Sequence, residues 1–370
     1  MVKKEVKNAA IAGAVIAVAI AVLATYFNSL DRTESSGNGM QSITANVTMA
    51  EEGKYPLAPK LVGITGYLNT TPEELKDETK NKVVLYDFWT YSCINCLRTL
   101  PFLEQWNAKY ADKGLVIVGI HSPEFDFEKD ISNVRMAVQK YNITYPVVLD
   151  SNHATWDAFG NRYWPAEYMT DYLGHIRYVH FGEGEYNRTE QVIQVLLNQR
   201  SQALGLGINA TIPLVDIQPH IFSNRQTSEL YFGYNFAAGR NFLGNREGFQ
   251  PDQTVNYTLP ENLEKDHFYL EGSWQNLPDR MSLSSDNGEI VLPYYAKDVN
   301  IVASGPGVDV KVLLDGSPVS PSYAGTDLQN GIVHVFENRL YNVISSQQAG
   351  PHTLTLLPKS GFQIYTFTFG

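Results

Sequence analysis

Only two cysteines occur in the 370 residues, and they stand three apart in the run Asp87-Phe88-Trp89-Thr90-Tyr91-Ser92-Cys93-Ile94-Asn95-Cys96. Before them, Lys82 to Trp89 is short, mainly apolar and β-prone, the pattern of a strand buried on both faces. After them, Leu97, Leu100, Leu103, Trp106 and Tyr110 recur at helical spacing, which predicts an amphipathic helix whose first turn carries the thiols. A Cys-x-x-Cys at such a strand-to-helix junction is the arrangement of thiol–disulfide exchange. A zinc half-site is the rival, but four-coordinate zinc needs two more ligands and no second cysteine pair supplies them. An inert crosslink is the other alternative, and a loop of two intervening residues restrains the unfolded chain little.

The attacking species in such exchange is a thiolate, and an ordinary cysteine thiol is mostly protonated at neutral pH. Cys93, at the helix start, is expected to face unpaired backbone N–H groups and the positive end of the helix dipole, which favour the anion. That makes Cys93 the nucleophile and Cys96, one turn further in, the shielded resolving thiol. No organic cofactor or metal is expected.

The N-terminus sets the compartment. Lys3, Lys4 and Lys7 precede an uncharged run over residues 9–27, and about 19 residues nearly span the ~30 Å of bilayer hydrocarbon. Lysines on that side place residues 1–8 in the cytoplasm and everything after the anchor outside it. A cleaved signal peptide is the alternative, and it too exports the chain. Residues 28–55, rich in Ser, Thr, Asn and Gly, read as a tether. The remainder is long enough for two domains. A net charge of −11 without a basic stripe argues against nucleic acid as a partner.

Within 56–202, Leu115 to Ile120 and Tyr145 to Leu149 read as further buried strands, with a crossover helix at Asp130 to Tyr141 between them. Tyr168 to Thr170 and Ile176 to Phe181 read as a hairpin, and Thr189 to Arg200 as a closing helix with Thr189 at its N-cap. This is an α/β sheet flanked on both faces. Residues 203–214 read as a linker. From 215 to 370, short β-prone runs are broken by Gly, Pro, Asn and Asp: His267 to Trp274, Gly288 to Tyr295, Asn300 to Ala303, Val308 to Leu314, Gly331 to Phe336, His352 to Leu357 and Phe362 to Phe369. Asp315-Gly316 is a hairpin signal, and the whole predicts an all-β sandwich.

Asp-Phe-Trp-x-x-x-Cys-x-x-Cys with Pro101 five residues further on resembles the thioredoxins. Trp164-Pro165 followed by Asp171 and Gly174 is similar to their membrane-tethered TlpA-type subgroup. The full run from Phe88 to Pro101 resembles the exported part of DipZ proteins. The C-terminal stretches Ser228 to Tyr234, Gly272-Ser273-Trp274, Leu314-Asp315-Gly316 and Phe367 to Gly370 resemble the carbohydrate-binding-module-like domain of those proteins, a jelly-roll type of sandwich. The resemblance implies a thioredoxin-like α/β domain followed by that sandwich, behind one N-terminal transmembrane helix. It implies that Asp87 is a buried proton acceptor for Cys96, and that Pro165 is a cis-proline facing the cysteines. The backbone of Trp164 would then pair with an extended substrate, with Trp89, Ile94 and Asn95 also facing it. His121 at a strand end is a minor candidate, more simply read as structural.

The implied activity is reduction of disulfides in exported proteins, with cytochrome c maturation as one setting. Ile94-Asn95 brings no positive charge to stabilise the thiolate, which argues for a reductase rather than an oxidase or isomerase. With no cysteine in the span, electrons must come from a separate membrane thiol reductase of the CcdA/DsbD type. A glycan is a possible ligand of the C-terminal domain if Trp274 or Tyr234 stacks on a sugar; aromatics in a β core are the plainer reading.

Overall fold

The computed structural model describes residues 55–221, 225–236 and 242–370. The expected anchor at 9–27 and nearly all of the tether lie outside them. Among the described residues no helix is long and apolar enough to cross a membrane. The described chain belongs to one compact unit, in which an α/β part leads into an all-β part.

The first part holds strands β1 (Gly66–Leu68), β2 (Val83–Trp89), β3 (Leu115–His121), β4 (Val147–Leu149), β5 (Ala166–Thr170) and β6 (Ile176–Phe181), hydrogen-bonded in the order β1-β4-β3-β2-β5-β6. The three central strands run parallel, and β1, β5 and β6 run antiparallel to their neighbours. Helices α1 (Pro72–Glu78), α2 (Ile94–Tyr110), α3 (Ile131–Lys140), α4 (Ala154–Ala158) and α5 (Tyr186–Leu204) connect and cover the sheet. Side chains alternate across a strand, so Val84 and Phe88 meet Leu75 of α1 and Trp156 of α4 in one core. Leu85 and Asp87 turn to the other face, where α2 and α5 pack.

Boundaries shift where a local signal has a tertiary explanation. Asp130 caps α3 by accepting the Ser132 N–H at 2.8 Å. The expected N-cap at Thr189 is wrong: α5 starts a turn earlier behind Glu185, which has a left-handed φ of 51° and gives no side-chain cap. Thr189 lies within the helix, and its hydroxyl is used elsewhere. The stretch read as a linker is bound along α5. Ile208 N–H donates to Ser201, Ala210 N–H to the Asn198 side chain, and Val215 N–H to Glu190.

The all-β part comprises β7 (Leu230–Tyr231), β8 (Thr254–Tyr257), β9 (Tyr269–Asn276), β10 (Met281–Leu283), β11 (Glu289–Ser304), β12 (Val308–Leu314), β13 (Ser317–Pro318), β14 (Leu328–Gln329), β15 (Ile332–Val335), β16 (Arg339–Leu357) and β17 (Gln363–Phe369). The two runs expected at 288–295 and 300–303 are one strand, β11, which continues through a register shift between Ala296 and Asp298. Gly350 and Pro351 likewise lie inside β16. Hydrogen bonding joins these strands into one 11-stranded sheet. The N-terminal end of β11 pairs with β9 and its C-terminal half with β17, so β9, β10, β17 and β11 close a ring. Asp315 and Gly316, both at positive φ, make the turn from β12 to β13 as their sequence predicts. Trp274 is fully buried in the core, with Phe232, Phe268 and Phe367 in the same cluster, so it offers no face to a sugar. Tyr234, half-buried, donates its hydroxyl to Asp252.

The two parts meet through a second apolar cluster. Phe125 packs with Val302, Leu340 and Tyr365, and Ile94, Phe127, Tyr231 and Phe236 lie against them. The Tyr365 ring centroid is 5.1 Å from that of Phe125 and 4.7 Å from that of Phe127. Tyr231 also donates to Glu124 at 2.8 Å across this boundary.

Candidate active site

Strand β2 ends at Trp89, and a turn through Thr90 to Ser92 delivers Cys93 to the N-cap of α2. There the backbone is extended (φ −81°, ψ 116°), and the Cys93 Sγ accepts the N–H of Cys96 at 3.2 Å. This uses one of the orphan donors that every helix start presents. Both residues are thiols in this structure; Cys93 is partly exposed and Cys96 is buried. The sequence expectation of a favoured Cys93 thiolate meets an opposing effect. Burial pushes the Cys93 thiol up, the S–H and N–H of Cys96 draw it back, and the carboxylates of Glu229 and Glu124 push it up again. Burial raises Cys96 further, well above the usual range for a thiol, with Cys93 adding to it.

The turn before Cys93 hangs on a residue that the sequence reading missed. Glu128, fully buried, accepts the hydroxyl of Thr90 at 2.5 Å and that of Ser92 at 2.6 Å. Its other oxygen accepts the N–H groups of Glu124 at 2.6 Å and Phe125 at 3.0 Å. Burial pushes this carboxyl up, and those donors hold it down. Ser92 is buried as one arm of this hub. No short-range motif marks Glu128, since its donors come from segments up to 38 residues away.

Asp87 lies beneath the cysteines, 1 % exposed, with Oδ1 lacking a hydrogen-bond partner. Burial raises its pKa well above the usual carboxylate range, and Glu167 raises it more. The Trp164–Pro165 peptide bond is cis and leads directly into β5. The Trp164 indole donates to the Ser122 carbonyl at 3.0 Å and lies 4.3 Å, centroid to centroid, from Trp156. Trp89 was expected to face substrate, but it is fully buried with its ring edge against His121, so it supports the site from inside. Ile94, between the cysteines, packs into the cluster shared with the all-β part. Asn95 is half-buried, and its carbonyl accepts the Thr99 hydroxyl at 3.0 Å. His121 is buried, stacks on Tyr91, and is pushed down to about 3 by desolvation, so it is neutral at physiological pH. His175 and His180 stand at a spacing that zinc sites also use, but among the described residues no group of three or more His, Cys, Asp or Glu could hold a metal.

Two family profiles match the chain: Redoxin over residues 53–193 and the thioredoxin-like C-terminal domain over residues 227–370. The DipZ proteins of Mycobacterium bovis and Mycobacterium tuberculosis are 37% identical over 318 residues, which is 85% of this chain and 43% of theirs. The chain thus spans less than half the length of those relatives. The thiol-disulfide oxidoreductase YkuV of Bacillus subtilis is 33% identical over 141 residues, covering 38% of this chain and 93% of that protein. A solved thioredoxin-like protein in its oxidised form aligns with 39% of this chain at 31% identity and a TM-score of 0.36.

Proposed function

The chain belongs to the thioredoxin-like TlpA/DipZ family, and from that premise we propose that it is a membrane-tethered, extracytoplasmic reductase of disulfides in exported proteins. As a thiol–disulfide oxidoreductase it works through Cys93 and Cys96. Cys93 gives up its proton and attacks one sulfur of a substrate disulfide. That bond breaks, the electron pair leaves on the second substrate sulfur, and this sulfur takes a proton. Cys96 then loses its proton to Asp87 and attacks the Cys93 sulfur. A bond forms within the pair, and the first substrate sulfur leaves with its electrons and is protonated. Two electrons and two protons have moved from the dithiol to the substrate.

The observation that carries this order is the contrast between the two residues: Cys93 is partly exposed at the helix cap and Cys96 is buried one turn in. The direction follows from electrostatics. Burial and nearby carboxylates disfavour the Cys93 thiolate, and a reduced form without a stabilised thiolate gives up its electrons more readily, which is the character of a reductant. The oxidised pair needs an electron donor, and a membrane thiol reductase of the CcdA/DsbD type fits. The extended segment at Trp164-Pro165 is the place for a substrate strand to add. The reduction potential, measured against a glutathione redox series, tests the direction. A reductase requires a value below about −200 mV, and one well above that overturns the reading.

A further inference from the structure

The antiparallel register of β2 and β5 sets Asp87 opposite Glu167. Residues directly opposite in such a pair share a face, with Cβ atoms about 5 Å apart. That face is the one covered by α2 and α5, so a second carboxyl lies beside the one under Cys96. Both are sealed from solvent, Asp87 at 1 % and Glu167 at 2 % exposure. Among the described residues neither forms an ion pair. Two buried carboxylates without a cation cannot both ionise cheaply, so the pair keeps a proton. Burial pushes Glu167 up to about 7, and the Glu167 charge acts against ionisation of Asp87.

Glu167 also has an exit that Asp87 lacks. The Thr189 hydroxyl, on α5, donates to Glu167 Oε2 at 3.1 Å, and the Tyr178 hydroxyl, on the edge strand β6, lies 3.1 Å from Thr189. Thr189 spends its one hydrogen on Glu167, so Tyr178 must be the donor to Thr189. With Glu167 ionised these donors point inward; once Glu167 takes a proton, its own O–H donates to Thr189, both hydroxyls turn, and the chain leads outward to the half-buried Tyr178 at the sheet edge. At the inner end Asp87 faces Cys96 and Tyr145, with Cys93 beyond Cys96. Tyr186 and Tyr178 stand at Glu167, and Arg188 and Glu185 act on the outer end.

We propose that Glu167 is a positioning residue for the resolving step: it shares a proton with Asp87 and passes the proton taken from Cys96 through Thr189 and Tyr178 to solvent. The inference rests on the reading of Cys96 as the resolving thiol. As the Cys96 S–H breaks, its proton goes to Asp87. The new sulfur–sulfur bond forms to Cys93, and the leaving thiolate is protonated by solvent. Asp87 must then shed its proton before the next cycle, and solvent does not reach it directly.

The test uses the full chain and 5,5′-dithiobis(2-nitrobenzoate). Cys93 forms a mixed disulfide and releases one coloured thiolate, and attack by Cys96 releases the second; the second rate is followed from pH 5 to 9. Glu167→Gln keeps an acceptor for Thr189 and removes a like charge, so the pH midpoint should fall by about one unit, a tenfold rate change on the rising limb. Thr189→Val and Tyr178→Phe should slow repeated turnover, read as dithiothreitol-driven reduction of insulin, roughly tenfold at pH 7 without moving the midpoint of the second release. A Glu167→Gln midpoint equal to that of the wild type overturns the shared proton, and wild-type turnover rates in Tyr178→Phe and Thr189→Val overturn the path. If Glu167→Gln fails to fold, the two hydroxyl variants still decide the path. Absence of any second release in the wild type would instead refute the resolving role of Cys96.

Discussion

Replacing Glu167 by Gln should change how stability depends on pH, by an amount the structure allows to be worked out. The folded state holds this carboxyl at about 7 against an ordinary 4.5, with burial as the cause. Each unit is worth about 1.4 kcal/mol, so the full linkage is about 3.5 kcal/mol. The sign is the reverse of the usual carboxylate case. Between pH 4.5 and 7 the native state keeps a proton that the unfolded chain has lost, so stability falls as pH rises. The contribution is intact below 4.5 and gone above 7. Gln still accepts from Thr189 and carries no charge, which makes the variant insensitive over this window. Urea denaturation at pH 5 and pH 8 reads the effect. The stability of the variant relative to the wild type should rise by roughly 2 to 3 kcal/mol between those conditions. A difference that stays constant across them refutes the argument that Glu167 is held protonated in the fold.

Two further outcomes test the supports of the site. Glu128→Gln puts an amide N–H₂ against donors that now meet a carboxylate oxygen, so it should cost about 2 to 3 kcal/mol in urea denaturation and speed alkylation of Cys93 by loosening the turn before it. Tyr365→Ala empties the centre of the cluster between the two parts; a loss of about 3 to 4 kcal/mol is expected, together with faster alkylation of Cys93, because Ile94 packs in the same cluster.

What the sequence disclosed and what it hid divide along the range of the interactions involved. The strand before Cys93 and the helix after it were legible because apolar periodicity and one thiol pair are local signals. β2 and α2 appear within a residue or two of the expected bounds. Thr189 was misread because threonine ahead of an apolar run is a capping signal, while its hydroxyl is in fact taken by Glu167, 22 residues away in sequence. The break placed inside β11 came at Asp298, which the sheet absorbs in a register shift, and the stretch of β16 before His352, which ends in Gly350 and Pro351, was not read as strand. Glu128 and Glu167 went unseen for the same reason. Their chemistry exists only once the register of β5 on β2, and the packing of the segment after β3, bring distant residues together. Ile94 was expected at a substrate surface, and no local pattern indicates that the all-β part occupies its neighbourhood.

The central claim is that Cys93 attacks and Cys96 resolves. Trapping tests it most directly: Cys96→Ser, expressed as the full chain in cells, is isolated under non-reducing conditions and its disulfide-linked adducts are mapped by mass spectrometry. The account predicts adducts joined through Cys93 to exported proteins and to a membrane thiol reductase, and none with Cys93→Ser. Adducts that form equally through Cys96 in Cys93→Ser would contradict it.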